Sequence, residues 1–280
     1  MDAHHPDFAP VDSDESSGPR TKRGKSIGDM ISDGTLHVPK YKAKASLKKL
    51  KGLFKIKTNI LLFLQGIPGC VPWGIIFAFM TDYLHKDRDA TTMEATSIII
   101  SWNMGQLLVG QSIGGFIGQA MYNRSKPSLC WLMGITTMVG AAPMLYLINS
   151  PFHLSSFLFV SFVGGAIASV TGANIKAVVL NCNVPEMRGV ANGVFGLTDD
   201  LGRGFGPLLI SGLETITGGR QAAFTVGTLF WLLCGVFICM MSFTLEADER
   251  NVQKHVEETG RAAKDTIDVE NIDKVGLLQG

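Results

Sequence analysis

Apolar residues fill the middle of the chain in six long blocks, roughly 59–84, 95–121, 128–148, 154–180, 189–216 and 221–245. Each is close to the ~20 residues a helix needs to cross a bilayer. The joints between them, HKDRDATTME, YNRSKP, NSPFH, NCNVPEMR and TGGR, are turn-like or polar. Joints this short make consecutive helices antiparallel neighbours. The pattern predicts an all-α membrane protein, a bundle of six transmembrane helices spanning residues 58–245. Block five is the least regular, because charged residues interrupt it.

The flanks are polar. Residues 1–57 read as a disordered, basic, linker-like cytosolic segment and residues 246–280 as a cytosolic tail. Between Lys40 and Lys57 there are eight lysines and no acidic residue, and basic residues next to a first membrane helix stay in the cytosol. Both termini are then cytosolic, as are the YNRSKP and VPEMR loops, while NSPFH, which has no Lys or Arg, lies outside. The lysine run also suits anionic lipid headgroups, and Ser26 and Ser46 stand among basic residues as candidate phosphorylation sites. Residues 1–10 have neither a basic n-region nor an apolar h-region, so the first membrane helix is expected to act as the targeting signal. Which membrane the protein occupies does not follow from these features.

Composition agrees with a life in lipid. The chain is 46% hydrophobic and only 18% charged, below the roughly 25% of soluble domains, and its mean hydropathy is +0.23. Nothing reads as a nucleic-acid surface. The five cysteines lie in or beside apolar blocks without a C-x-x-C pair, which argues against a disulfide framework and a zinc site. No metal or cofactor is expected.

Candidate chemistry sits at membrane depth. The first block contains Gln65-Gly66-Ile67-Pro68-Gly69-Cys70-Val71-Pro72-Trp73-Gly74. Each proline removes a helical hydrogen bond, so this helix is expected to kink or unwind, as helices lining transport cavities do; Gln65 and Trp73 are candidates for the cavity wall. In the second block, glycines at 105, 110, 114, 115 and 118 suit close helix packing, and Asn103, Gln106 and Gln111 are polar residues that line a pathway or bond to other helices. Lys176 in the fourth block either snorkels to the interface or meets an anion in the cavity.

The sharpest signal is Asp199-Asp200-x-x-Arg203 in the fifth block. Asp199 lies about 16 Å along the helix from Arg188, near the bilayer middle. A charge there costs about 2.5 to 3.5 kcal/mol on insertion scales and faces the bundle interior or water. Arg203 can reach either aspartate. The carboxylate left over is a candidate to bind and release a coupling proton; the alternative is a structural ion-pair network.

These residues resemble the major facilitator superfamily. Gly115-Phe116-Ile117-Gly118-Gln119 and the Tyr122-Asn123-Arg124-Ser125-Lys126 loop are similar to the C-terminal copy of that family's signature between the second and third helices of each half. Gln119 stands where the family has an acidic residue, while Arg124 and Lys126 keep the basic part of this gating loop. The stretch from Val184-Pro185-Glu186-Met187-Arg188-Gly189 to Gly206-Pro207 is similar to the penultimate loop and helix. A spinster-like branch is compatible with the pattern. The resemblance implies two six-helix halves that rock about a midplane site, of which this chain supplies the C-terminal one.

The resulting expectation is secondary transport of a small or amphipathic solute, with the path completed by an N-terminal six-helix half or a second copy. Alternatives are a non-transporting membrane scaffold or sensor, or a truncated fragment. An enzyme is not expected: no membrane-depth histidine is present to act as a base, and adjacent aspartates on one helix do not converge as an aspartyl pair must. The topology has a direct check. Asn123-Arg124-Ser125 is a glycosylation sequon expected to face the cytosol, so endoglycosidase treatment of chain made in a glycosylating host should leave its electrophoretic mobility unchanged. A mobility shift would invert the topology.

Overall fold

The computed structural model describes residues 47–277, with side chains from residue 50 to residue 261. Ser26 and most of the basic segment, including Ser46, lie outside the described residues. Among the described residues the chain is helical throughout, with no strand.

A short helix α1 (Leu47–Leu53) comes first. The crossing helices then follow as α2 (Lys57–Asp87); α3 (Thr92–Met104), a π-helical stretch (Gly105–Gln111) and α4 (Ser112–Arg124) in one continuous rod; α5 (Lys126–Asn149); α6 (Leu154–Ala168) and α7 (Val170–Asn181), joined at Ser169; α8 (Arg188–Thr217); and α9 (Arg220–Thr228) with α10 (Phe230–Met240). The tail forms α11 (Leu245–Leu277).

Four of these rods, Lys57–Asp87, Lys126–Asn149, Leu154–Asn181 and Arg220–Phe243, are long and apolar enough to cross a membrane. The other two are of similar length, but one is divided by the π-helical stretch and α8 carries Asp199, Asp200 and Arg203 at its middle.

Two sequence expectations are corrected. α2 is not unwound at its prolines; it runs as one 31-residue helix with Pro68 and Pro72 inside. The irregular backbone is instead in the second rod, where glycines rather than prolines set the geometry. Added methyl groups at Gly105 and Gly110 would collide with the Phe162 and Ala166 carbonyls of α6, so the two main chains touch, and the register is absorbed by π turns. The basic segment also does not stay irregular to residue 57: α1 buries Leu53 completely in a cluster with Leu62, Met133 and Val179.

The apolar core is in two parts. One cluster, at the Tyr83 end, includes Trp102, Met144, Phe157, Phe224 and Trp231. The other, at the Thr58 end, includes Leu62, Met133, Val179, Phe195 and Ile238. Five rods contribute to both clusters, and on four of them a polar residue stands between the two: Gln65, Thr137, Ser169 and Asp199.

Both ends are pinned by polar contacts. At the Tyr83 end, Arg220 reaches Asp82 at 2.9 Å and Asp87 at 2.7 Å, and the Tyr83 hydroxyl donates to the Ile148 carbonyl at 2.8 Å. At the other end, Ile56 precedes α2 and has no side chain able to cap it. The cap comes from the tail: Asp248 Oδ2 accepts from both the Thr58 amide and hydroxyl at 2.8 Å, placing a carboxylate at the positive end of the helix dipole. Beside it Asn59 and Asn183, both fully buried, exchange amide hydrogen bonds of 2.8 and 2.9 Å. Replacing Asn183 by Ala strands the Asn59 amide in the core at a cost of about 1 to 3 kcal/mol. Thermal unfolding in detergent should show that loss, and the double variant with both asparagines changed to Leu should recover part of it; equal stability of Asn183→Ala and the parent would remove the pair from the list of stabilising contacts.

Candidate functional site

The site is built on the crossing of α2 and α8. The buried residues of α8, Ala191, Phe195, Gly202, Gly206 and Ile210, form a single stripe at helical spacing. Within lipid, apolar burial does little to hold helices together and close packing of small residues does more. Here glycines on both helices serve. A methyl group on Gly202 would collide with the Ile67 carbonyl, one on Gly206 would lie 2.9 Å from the Val71 carbonyl oxygen, and one on Gly74 of α2 would lie 2.6 Å from the Arg203 carbonyl oxygen. Gly66 lies under the side chains opposite, its absent methyl 2.6 Å from Thr198 Oγ1 and 2.9 Å from Asp199 Oδ1.

This approach brings Asp199 and Arg203 to the wall of a cavity of about 310 Å³ in the middle of the bundle. All six rods contribute: Gln65, Cys70, Trp73 and Phe77 from α2; Gln106 and Gln111 from the π-helical stretch; Thr137 from α5; Ser169, Thr171 and Gly172 from the α6–α7 rod; Phe195, Asp199 and Arg203 from α8; Trp231 and Cys234 from α10.

The two aspartates part company. Asp200 is turned away, its side chain 74% exposed, and binds Arg203 Nη1 at 3.1 Å. Arg203 Nη2 approaches Cys70 Sγ at 3.9 Å. Asp199 remains the carboxylate on the cavity wall. Gln65 is 5% exposed: its amide donates to the Leu62 carbonyl at 3.1 Å and its oxygen accepts from the Cys234 thiol at 3.2 Å. It therefore ties the first rod to the sixth. The Thr137 and Thr171 hydroxyls lie 2.6 Å apart. By contrast, Gln106 Oε1 is buried without a hydrogen-bond partner.

Aromatic rings close one side. Trp73 meets Trp231 edge to face at 5.6 Å and Phe77 in a stack at 6.0 Å, and Trp102 backs them, 6.2 Å from Trp73. The Trp231 indole N–H donates to the Gly69 carbonyl at 2.9 Å, between Pro68 and Pro72.

Of the residues singled out from the sequence, the cavity brings together Gln65, Trp73, Gln106, Gln111, Asp199 and Arg203. Three stand elsewhere. Asp200 is outside as described, Asn103 donates back to the Ile99 carbonyl of its own helix at 2.9 Å, and Lys176 is exposed and absent from the lining. The loop residues form a separate cluster at the Thr58 end. Gln119 bonds to Asn123 at 2.9 Å, Gly115 packs near Ala173, and Arg124 is exposed. Arg188 donates to the Leu180 and Asn183 carbonyls at 2.9 and 3.2 Å, capping α7. Lys126 binds Glu249 of the tail at 3.0 Å, and Tyr122 donates to the same carboxylate. Glu249, with 4% of its surface exposed, had no sequence signal beyond its place in a charged helix. Cys70, Phe77, Thr137, Trp231 and Cys234 are equally ordinary in sequence, and only the fold gathers them.

Residues 59–271 match the family model of the Major Facilitator Superfamily, a stretch that begins at the buried Asn59 and runs through all six rods into α11. No curated protein matches the chain.

The α2–α8 contact makes its own prediction. Gly202→Val drives a branched side chain into the Ile67 main chain, and overpacking of this kind costs about 1 to 3 kcal/mol. At Gly204 on the same helix an added methyl group meets nothing within 4 Å, and Gly204→Val should leave the bundle's melting temperature in detergent within a degree or two of the parent. Equal stabilities for the two variants would show that the helices are not held backbone to backbone.

Proposed function

We propose that this chain, which belongs to the Major Facilitator Superfamily, forms one six-helix half of a secondary transporter that moves a small or amphipathic solute by alternating access. The observation that carries the reading is the cavity to which all six rods contribute near their midpoints. Transporters place substrate sites near the bilayer midplane between such repeats, and buried polar residues at that depth are expensive unless they serve a path.

The second half is supplied by an N-terminal six-helix unit or by a second copy of this chain. Asp200 and Arg203 support it: their side chains are 74% and 47% exposed at the middle of a membrane helix. Facing lipid, they would cost several kcal/mol; facing another polar wall, they would not. The Thr58 end, with its lysines, faces the cytosol. Asp199 is the group that carries a coupling proton, because Arg203 is bonded to Asp200 and the trio leaves one carboxylate charge unbalanced on the cavity wall.

Gly172 offers the test. It lines the cavity, and a methyl group there would meet nothing within 4 Å, so Gly172→Leu starts from open space beside the cavity. Replacing a helical glycine also raises helix stability by up to about 1 kcal/mol. Proteoliposomes holding the parent chain should accumulate solutes from an isotope-labelled cell extract, read by mass spectrometry. Gly172→Leu should abolish that uptake without lowering the melting temperature, and Asp199→Asn should uncouple it from an imposed pH gradient. Undiminished uptake through a filled cavity would refute the path, and an unchanged pH response would refute the coupling.

A further inference from the structure

The cavity is rich in acceptors and aromatic faces and poor in uncommitted positive charge. Asp199 is its only carboxylate. Arg203 also reaches the wall, but its guanidinium is bonded to Asp200, which lies outside the lining, so its charge is balanced from behind. The nearby cation, Lys176, is exposed and outside the cavity.

The neutral groups lean the same way. Gln106 Oε1 is buried with no donor, and a buried acceptor left unmade costs about 1 to 3 kcal/mol. Gln65 uses one N–H on the Leu62 carbonyl and its oxygen on the Cys234 thiol, and the Thr137 and Thr171 hydroxyls close on each other. What the wall lacks is a donor to Gln106 and a cation to balance the one negative charge that Asp199, Asp200 and Arg203 together leave over. Trp73, Phe77 and Trp231 add ring faces to the same space, and indole faces attract cations more strongly than other aromatic side chains do.

On the transport reading above, we infer that the substrate class of this site is an organic ammonium: a primary or secondary amine whose N–H groups bond Asp199 and Gln106 while its apolar body lies against Trp73, Phe77 and Trp231. A volume of about 310 Å³ is at the small end of ligand pockets, which suits a compact amine better than a long lipid. A carboxylate or phosphate of the same shape meets Asp199 with like charge.

The experiment compares two probes of similar shape and opposite charge, phenethylammonium and phenylpropionate, on the full chain in lipid nanodiscs at one fixed pH. Calorimetry measures affinity, and quenching of indole fluorescence reports occupancy beside Trp73 and Trp231. The ammonium should bind at least about tenfold more tightly than the anion. Asp199→Asn should weaken it about tenfold or more, the loss of a charged hydrogen bond, Gln106→Leu should weaken it severalfold, and Lys176→Gln should change nothing. Thermal unfolding checks each variant, and should Asp199→Asn fail to fold, Gln106→Leu and the probe comparison decide. Equal or tighter binding of phenylpropionate, binding of neither probe, or ammonium affinity untouched by both cavity variants would overturn the assignment. Uptake of anions by the proteoliposomes would remove this inference and leave the transport reading standing. Tight ammonium binding without uptake of any solute would do the reverse.

Discussion

Where α2 and α8 cross, glycines on each helix make room for the main chain of the other, and the position of every charged group in the cavity follows from that contact. Gly202 and Gly206 seat α8 against Ile67 and Val71, while Gly66 and Gly74 admit Asp199 and the Arg203 carbonyl from the opposite side. In a bilayer the hydrophobic effect does not distinguish a helix neighbour from a lipid tail, so surface contact and hydrogen bonds must do so. A side chain of even one carbon at Gly202, Gly206 or Gly74 would push the helices apart, and Asp199 would lose its place beside Cys70 and Gly66. The same solution recurs between the second and fourth rods, where Gly165 sits under the Trp102 carbonyl and Gly105 under that of Phe162. There the demand is severe enough to turn part of the helix into π turns.

The division of the core into two clusters reflects a second constraint. A bundle made only of apolar helices would be continuous from end to end. Here the clusters led by Trp231 and by Val179 are separated by polar groups contributed at mid-helix by several rods. Each such group is unfavourable in its own segment, and together they share one space. A cluster of costs at one depth is the mark of a site, because the same residues scattered along the helices would bring the penalty without the cavity.

Much of this was legible in the sequence, and the limits are physical. The six rods could be read from apolar length alone, since spanning hydrocarbon leaves few alternatives to a helix of ~20 residues. Asp199 and Arg203 stood out because charge at that depth is rare. The direction in which each aspartate points was not legible: the two are neighbours about 100° apart on a helix, and only the glycine contact with α2 decides that Asp199 faces inward and Asp200 outward. Prolines misled in the same way. Pro68 and Pro72 remove donors from α2, yet the helix persists and the indole of Trp231 serves a carbonyl in that turn, a partner more than 150 residues away that no local rule can supply. The tail was hardest to read. Asp248 and Glu249 are ordinary members of a charged helix until the fold sets one at the start of α2 and the other between Tyr122 and Lys126.

The placement of these contacts also bears on how the bundle moves. α2 is tied at the Thr58 end to the tail through Asp248 and to the segment before α8 through the Asn59–Asn183 pair, and at the Tyr83 end to α9 through Arg220 and to the end of α5 through Tyr83. Opening the bundle at either end from within would break the buried Asn59–Asn183 and Tyr83–Ile148 hydrogen bonds, at about 1 to 3 kcal/mol for each group left unpaired. The exposed side of α8 carries no comparable restraint: Gly189, Gly193, Gly196 and Gly204 have open space beside them, and Leu197, Phe205 and Leu208 are exposed. On the proposed reading, in which a second half covers that face, motion is cheapest between the two halves. A six-helix unit fastened at both ends, polar at its middle and loose along one side would suit that reading by turning as a rigid body, with the cavity carried on its moving wall.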